Sequence, residues 1–227
     1  MGYTHYWERP QEIPQDLFSR IRADFERLIL PLSDMGVDLA DWDGTGAPTI
    51  TDDLIRFNGV TDCGHPENED LVIPYPTQEA QGVGASSTAV AGDFYGCGVT
   101  VRHRSCNGHC SYDTFTLARK KDLGSGEGPD ENGLYGESVK TGFRPYDVAV
   151  TAALLIAKRH LCDRFVVQTN GAEAQWSDGK RLCQKVLGYG DWFGIVEEEV
   201  EEHVPGQNEP RRFLLRILIG VPEPRFI

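Results

Sequence analysis

The sequence predicts an α+β fold: a split β-α-β-like sandwich, with a mainly antiparallel sheet, helices on one face and a long loop-rich insertion at about 58–111. Three observations predict it. Segments of two-residue alternation and of helical periodicity interleave along the chain in the order β-α-β-β-α-β-α-β. The segment from Pro145 to Leu161 is apolar nearly all round, which requires a central, buried helix. Residues 58–142 hold 14 of the 25 glycines and show little periodicity, as an insertion built from loops does. At 227 residues the chain is read as one domain, 1–227.

Met1–Trp7 reads as a first strand, with Tyr3, His5 and Trp7 on one face and Thr4 and Tyr6 on the other. Pro14 suits a helix start, and Phe18, Ile21, Phe25, Leu28 and Leu32 recur at helical spacing until Pro31 and Gly36 end the run. After the turn-rich segment 41–48, Thr49–Phe57 reads as a strand. Asn58–Cys110 is the insertion, with hairpins of its own, and the chain returns to a strand at Tyr112–Lys120. Gly124–Gly136 is expected to be a mobile loop. Pro145 opens the buried helix, with Asp147 in its first turn favouring the dipole. A strand at Arg164–Thr169, a helix at Ser177–Leu187 closed by Gly188, and a strand at Phe213–Ile219 complete the order.

The net charge of −13 argues against a duplex nucleic-acid binder, because phosphate neutralisation needs a basic face. Glu197, Glu198, Glu199, Glu201 and Glu202 form one acidic tract, read as a solvated face. Between Cys97 and Lys121 the balance reverses, with Arg102, Arg104, Arg119, Lys120 and Lys121 against Asp113 alone. No apolar run approaches the roughly 20 residues of a bilayer-spanning helix, and the first residues carry no secretory-signal pattern. The expectation is a soluble cytoplasmic protein that does not engage membranes.

Six cysteines and six histidines invite a metal or disulfide reading. Cys63, His65, Cys97, His103, Cys106 and Cys110 supply enough ligands for tetrahedral zinc, but no paired Cys-x2-Cys knuckles occur. Asn107-Gly108 is a turn signal that brings Cys106 and Cys110 close. They are read as shaping a loop; zinc and a disulfide are the alternatives, and no metal ligand is assigned. Cys162 and Cys183 are read as core residues. No nucleophile elbow, Walker loop, dinucleotide fingerprint or His-Glu-x-x-His motif is present, and Ser177-Asp178-Gly179 reads as a turn or cap. The chain is therefore expected to be a binder rather than an enzyme, without a cofactor.

Lys140-Thr-Gly-Phe-Arg144-Pro-Tyr146-Asp147 carries two cations and a hydroxyl to the start of the buried helix. Free backbone N–H groups and the dipole favour an anion there. Lys140 and Arg144 add a point charge and a bidentate fork for phosphate. Tyr3, His5 and Trp7 offer rings for a base beside it. The candidate ligand-binding residues are thus Lys140, Arg144, Tyr146, Asp147, His5, Tyr3 and Trp7, with loops 58–110 and 122–140 expected to close over the ligand.

The opening Gly2-Tyr-Thr-His-Tyr-Trp7 is distinctive, as is Lys140–Asp147. With Arg56-Phe-Asn-Gly59, the run from Arg104 through Cys106-Asn-Gly-His-Cys110 to Phe115, and Leu187-Gly-Tyr-Gly190, they resemble a widespread bacteriophage and prophage protein family without assigned catalytic residues. The chain departs from that pattern at Gly142-Phe143, where the family carries a small residue and Arg or Lys, and at Tyr112, where His is common. The resemblance implies a phage origin and action in the host cytoplasm. The expected function is that of an accessory anti-defence protein. It would act as a sponge that sequesters a phosphate-bearing, nucleotide-derived host signal such as a cyclic nucleotide or an ADP-ribose derivative. The alternatives are a metal-assisted nucleotide hydrolase or transferase and an acidic protein–protein inhibitor. A homo-oligomer is compatible with either kind of partner.

Overall fold

The computed structural model describes residues 3–65, 70–72, 92–94, 97–99, 103–106, 108–124, 128–202 and 211–220. In chain order the elements are β1 (Thr4–Arg9), α1 (Gln15–Glu26), α2 (Ile29–Asp34), β2 (Leu39–Ala40), β3 (Thr49–Ile50) and β4 (Leu54–Gly59). Within the insertion come β5 (Asp70–Val72), β6 (Gly92–Phe94), β7 (Cys97–Val99) and β8 (His103–Ser105). Then follow β9 (Phe115–Ala118), β10 (Tyr135–Lys140), α3 (Asp147–Leu161), β11 (Val166–Thr169), α4 (Glu173–Leu187), β12 (Phe193–Glu202) and β13 (Arg211–Gly220). The fold is α+β, as expected.

The main sheet runs β10-β1-β11-β13-β12, with every pairing antiparallel. Period-two alternation sorts β1 into two faces. His5, Trp7 and Arg9 are buried, whereas Tyr6 is 43% exposed. Val139, Val167 and Thr169 join the buried side, where α3 and α4 pack. Beside this sheet, β4 pairs with β2, β3 and β9. Phe57 on β4 and Phe115 on β9 stack with Phe25 and Trp7, at centroid distances of 4.9–5.4 Å, and join the two sheets into one core. Arg9 crosses the same seam, donating to the carbonyls of Pro10, Ala118 and Arg119. Burial pulls its pKa down, and these acceptors compensate the buried cation.

Helix α3 is buried along nearly its whole length, with Lys158, Arg159 and His160 in its last turn complementing the dipole. Gly179 on α4 lets the two helices approach closely. A Cβ there would lie 2.3 Å from Thr151 Oγ1 and 3.1 Å from the Ala152 amide nitrogen. Gly179→Ala is accordingly expected to destabilise by about 1–3 kcal/mol through overpacking. A urea midpoint equal to wild type would show that the helices separate freely.

Several expectations need correction. The first helix breaks after Glu26 and resumes at Ile29, because Pro31 has no N–H to continue the ladder and fits only in a new first turn. Thr49–Phe57 is not one strand but a tight hairpin, in which the Thr51 N–H donates to the Leu54 carbonyl at 2.8 Å. The glycine-rich stretch ends in β10, an edge strand the sequence reading left as loop. The acidic tract lies in β12, a strand the sequence reading did not give, while Glu197, Glu198 and Glu199 are exposed as the solvated-face reading expects; in register Glu197, Glu201 and Glu202 stand opposite Arg216, Arg212 and Arg211. Ser177-Asp178-Gly179 lies inside α4, which starts four residues earlier than expected. Cys183 is in the core, but Cys162 is exposed at the end of α3 with φ 53°.

Candidate functional site

A buried polar cluster lies where β1, the end of β11, the β10–α3 turn and α4 meet. His5 points inward from β1 and its Nε2–H donates to Asp147 Oδ1 at 2.8 Å, both side chains being fully buried. Thr141 Oγ1 donates to the same oxygen at 2.7 Å. On the other side of the ring, Thr169 Oγ1 lies 3.0 Å from His5 Nδ1. That hydroxyl already accepts from the Gly171 N–H and the Trp176 indole, so its own proton goes to Nδ1. The pattern therefore assigns the His5 proton to Nε2.

Arg104 enters this cluster from β8. Its Nη2 donates to Asp178 Oδ2 at 3.0 Å, and its guanidinium lies 4.0 Å over the Phe143 ring. Phe143 and Gly142 both have positive φ, 57° and 58°. This turn aims the Phe143 ring at Arg104 and, edge-on, at Tyr3, 5.0 Å away. Four buried polar atoms here have no hydrogen-bond partner among the described residues: Tyr3 Oη, Asp147 Oδ2, and Arg104 Nε and Nη1. Burial, and then the nearby Asp147 carboxylate, push the Tyr3 hydroxyl pKa well up, so it remains a neutral donor.

The structure gathers Tyr3, His5 and Asp147 of the predicted site residues and adds Thr141, Thr169 and Arg104. The others go elsewhere. Trp7 is buried and its indole donates to Glu137 at 2.7 Å. Tyr146 donates to the Asp113 carbonyl at 2.6 Å, and Arg144 Nη1 donates to the Cys106 carbonyl. Lys140 lies 5.4 Å from the centre of the Tyr112 ring. The free helix N–H groups expected at the start of α3 are not free. Those of Asp147, Val148 and Ala149 donate to Arg144, Pro145 and Tyr146, and Asp147 itself supplies the negative charge the dipole favours. An anion would have to be held by side chains. Much of loops 58–110 and part of 122–140, expected to cover a ligand, lie outside the described residues, as do Gly2, Asn107 and the side chains of Cys97 and His103. A depression lined by Tyr6, Glu8, Ser138 and Gln168 lies on the outer face of the sheet, away from this cluster.

A second constellation adjoins the first. Cys63 and His65 follow β4, and Cys106 and Cys110 follow β8, yet their ligand atoms all lie within 4.8 Å of one another. Cys106 Sγ is 3.3 Å from Cys63 Sγ, 3.5 Å from Cys110 Sγ and 3.5 Å from His65 Nδ1, and Cys110 Sγ is 3.4 Å from that nitrogen. The three cysteines are free thiols. Burial pushes the Cys106 and Cys110 thiols up. At Cys63 burial acts the same way, but hydrogen bonds from the His65 backbone and the neighbouring thiols outweigh it and bring that thiol down. The sequence reading counted these four among the residues that could hold zinc but assigned none of them; the fold brings them together as a candidate set.

No protein-family model matches the chain, and neither does any curated protein or solved structure. No helix among the described residues is long and apolar enough to cross a membrane.

Proposed function

We propose that the chain is a non-catalytic binding protein for a phosphate-bearing, nucleotide-derived small molecule. It is held where Arg104 and Phe143 meet Tyr3 and Asp147. The observation that supports this reading is the set of four unpartnered buried atoms. Native interiors leave few such groups, each costing about 1–3 kcal/mol when unsatisfied. Arg104 Nε and Nη1 and Tyr3 Oη are donors suited to phosphate oxygens. Asp147 Oδ2 is an acceptor suited to a ribose hydroxyl or a base amino group. The Phe143 and Tyr3 rings beside them suit a base. With the bacteriophage resemblance, this favours an accessory protein that sequesters a host nucleotide signal in the cytoplasm. The hydrolase alternative draws no support from the thiol–histidine cluster, since four protein ligands would leave a tetrahedral metal no open position for substrate.

Tyr3→Phe is the cleanest probe, because it removes an unpartnered hydroxyl and leaves the ring packing intact. Calorimetric titration of cyclic dinucleotides and ADP-ribose derivatives is expected to find a ligand that wild type binds. Tyr3→Phe should weaken it by about 2- to 10-fold, with a thermal midpoint no lower than wild type. The ligand should be recovered intact after heat denaturation. Equal affinity in the variant would place the site elsewhere; no binding across the panel, or turnover of the bound compound, would overturn the reading.

A further inference from the structure

We infer that Cys63, His65, Cys106 and Cys110 form a structural zinc site that clamps the base of the insertion against the entrance to α3. Three sulfurs and one imidazole nitrogen are a donor set for Zn²⁺, whose bonds to them run about 2.3 and 2.0 Å. A tetrahedron with those bonds has edges of about 3.5–3.8 Å. The four short separations here, 3.3–3.5 Å, approach that size without any covalent link between the sulfurs. Cys106 and Cys110 are buried and Cys63 and His65 half-buried, so the four donor atoms face one another largely away from bulk water, as the ligands of a closed structural site do.

The surrounding backbone is shaped for the cluster. Gly108 turns with φ 80°, and the His109 N–H donates to the Cys106 carbonyl at 3.2 Å, folding Cys106 and Cys110 onto one side of the loop. The Cys110 N–H donates to the Val60 carbonyl at 2.9 Å. Gly59 permits the approach, since a Cβ there would lie 2.1 Å from the Cys110 carbonyl oxygen. The two halves of the ligand set come from the two ends of the insertion, so one metal closes the whole loop between them, and its binding free energy offsets the entropy of that closure on folding. The clamp also reaches the polar cluster. The Cys106 carbonyl accepts from Arg144, and Arg104, two residues before that ligand, carries the guanidinium that faces Tyr3 and Phe143. In this arrangement the metal positions binding groups and takes no part in chemistry, whatever the cluster beside it binds.

The test is elemental analysis and zinc-edge X-ray absorption on the full chain, purified under reducing conditions and exposed to zinc alone before gel filtration. The expected result is about one zinc per chain with a shell of three sulfurs and one nitrogen. Cys110→Ser should retain less than about a tenth of the zinc, His65→Cys should keep it by completing a four-thiolate shell, and Cys162→Ser should be unaffected. Wild type with less than about a fifth of an equivalent of zinc, or with a shell of oxygen and nitrogen alone, overturns the inference. Iron in the same four ligands overturns the assignment of zinc. The wild-type measurement decides the matter even where a ligand variant fails to fold.

Discussion

Replacing Leu154 by alanine is expected to lower the unfolding free energy by about 2–5 kcal/mol. Leu154 is fully buried at the middle of α3, where α1 and α4 pack against the helix. The loss has two parts. The deleted carbons forfeit their transfer free energy, and α3 cannot move to fill the space because the close contact at Gly179 and the bonds at its N-terminus fix it. Leu30→Ala provides the contrast. That side chain is 70% exposed, and its removal should change stability by no more than about 0.5 kcal/mol. Urea denaturation of both variants measures the difference, and equal midpoints would mean that α3 does not organise the core.

How far the sequence discloses the molecule depends on what each element answers to. Helix α3 was legible because an all-apolar segment has one stable place, the interior. The two faces of β1 were legible because alternation fixes them without knowledge of the partner strands. Strands β10 and β12 were not legible, because their stability comes from pairing. Strand β10 pairs with β1 at the far end of the chain, and the glutamates of β12 read locally as a charge run because glutamate has poor strand propensity, although Glu197, Glu201 and Glu202 stand in register with arginines of β13. The site divides the same way. His5 and Asp147 were found from their positions at a strand face and a helix start. Arg104 was counted only as one charge in a basic stretch, since its role depends on the positive-φ turn that carries Phe143 beneath it. The four possible metal ligands were visible as residue types. The spacing Cys-x-His and Cys-x3-Cys departs from the familiar paired knuckles, and only the fold brings positions 63 and 106 together.

Asp147→Ala is expected to cost about 3–5 kcal/mol. The carboxylate accepts from both His5 Nε2 and Thr141 Oγ1, with all three side chains buried. Alanine leaves those two donors without an acceptor in a place water does not reach. It also removes the negative charge at the positive end of α3, an effect of about 0.3–1 kcal/mol by itself. Asp147→Asn separates the terms. It retains an acceptor oxygen for His5 and Thr141 and forfeits only the charge, so its cost should be about 1–2 kcal/mol. It also converts the unpartnered acceptor Oδ2 into a donor, so Asp147→Asn is expected to weaken by about 10-fold any ligand that donates a hydrogen bond there. Guanidinium unfolding of the two variants, paired with the ligand titration, measures both effects. A loss below about 1 kcal/mol in Asp147→Ala would show that His5 and Thr141 find other acceptors, and that the buried network does not hold the start of α3 in place.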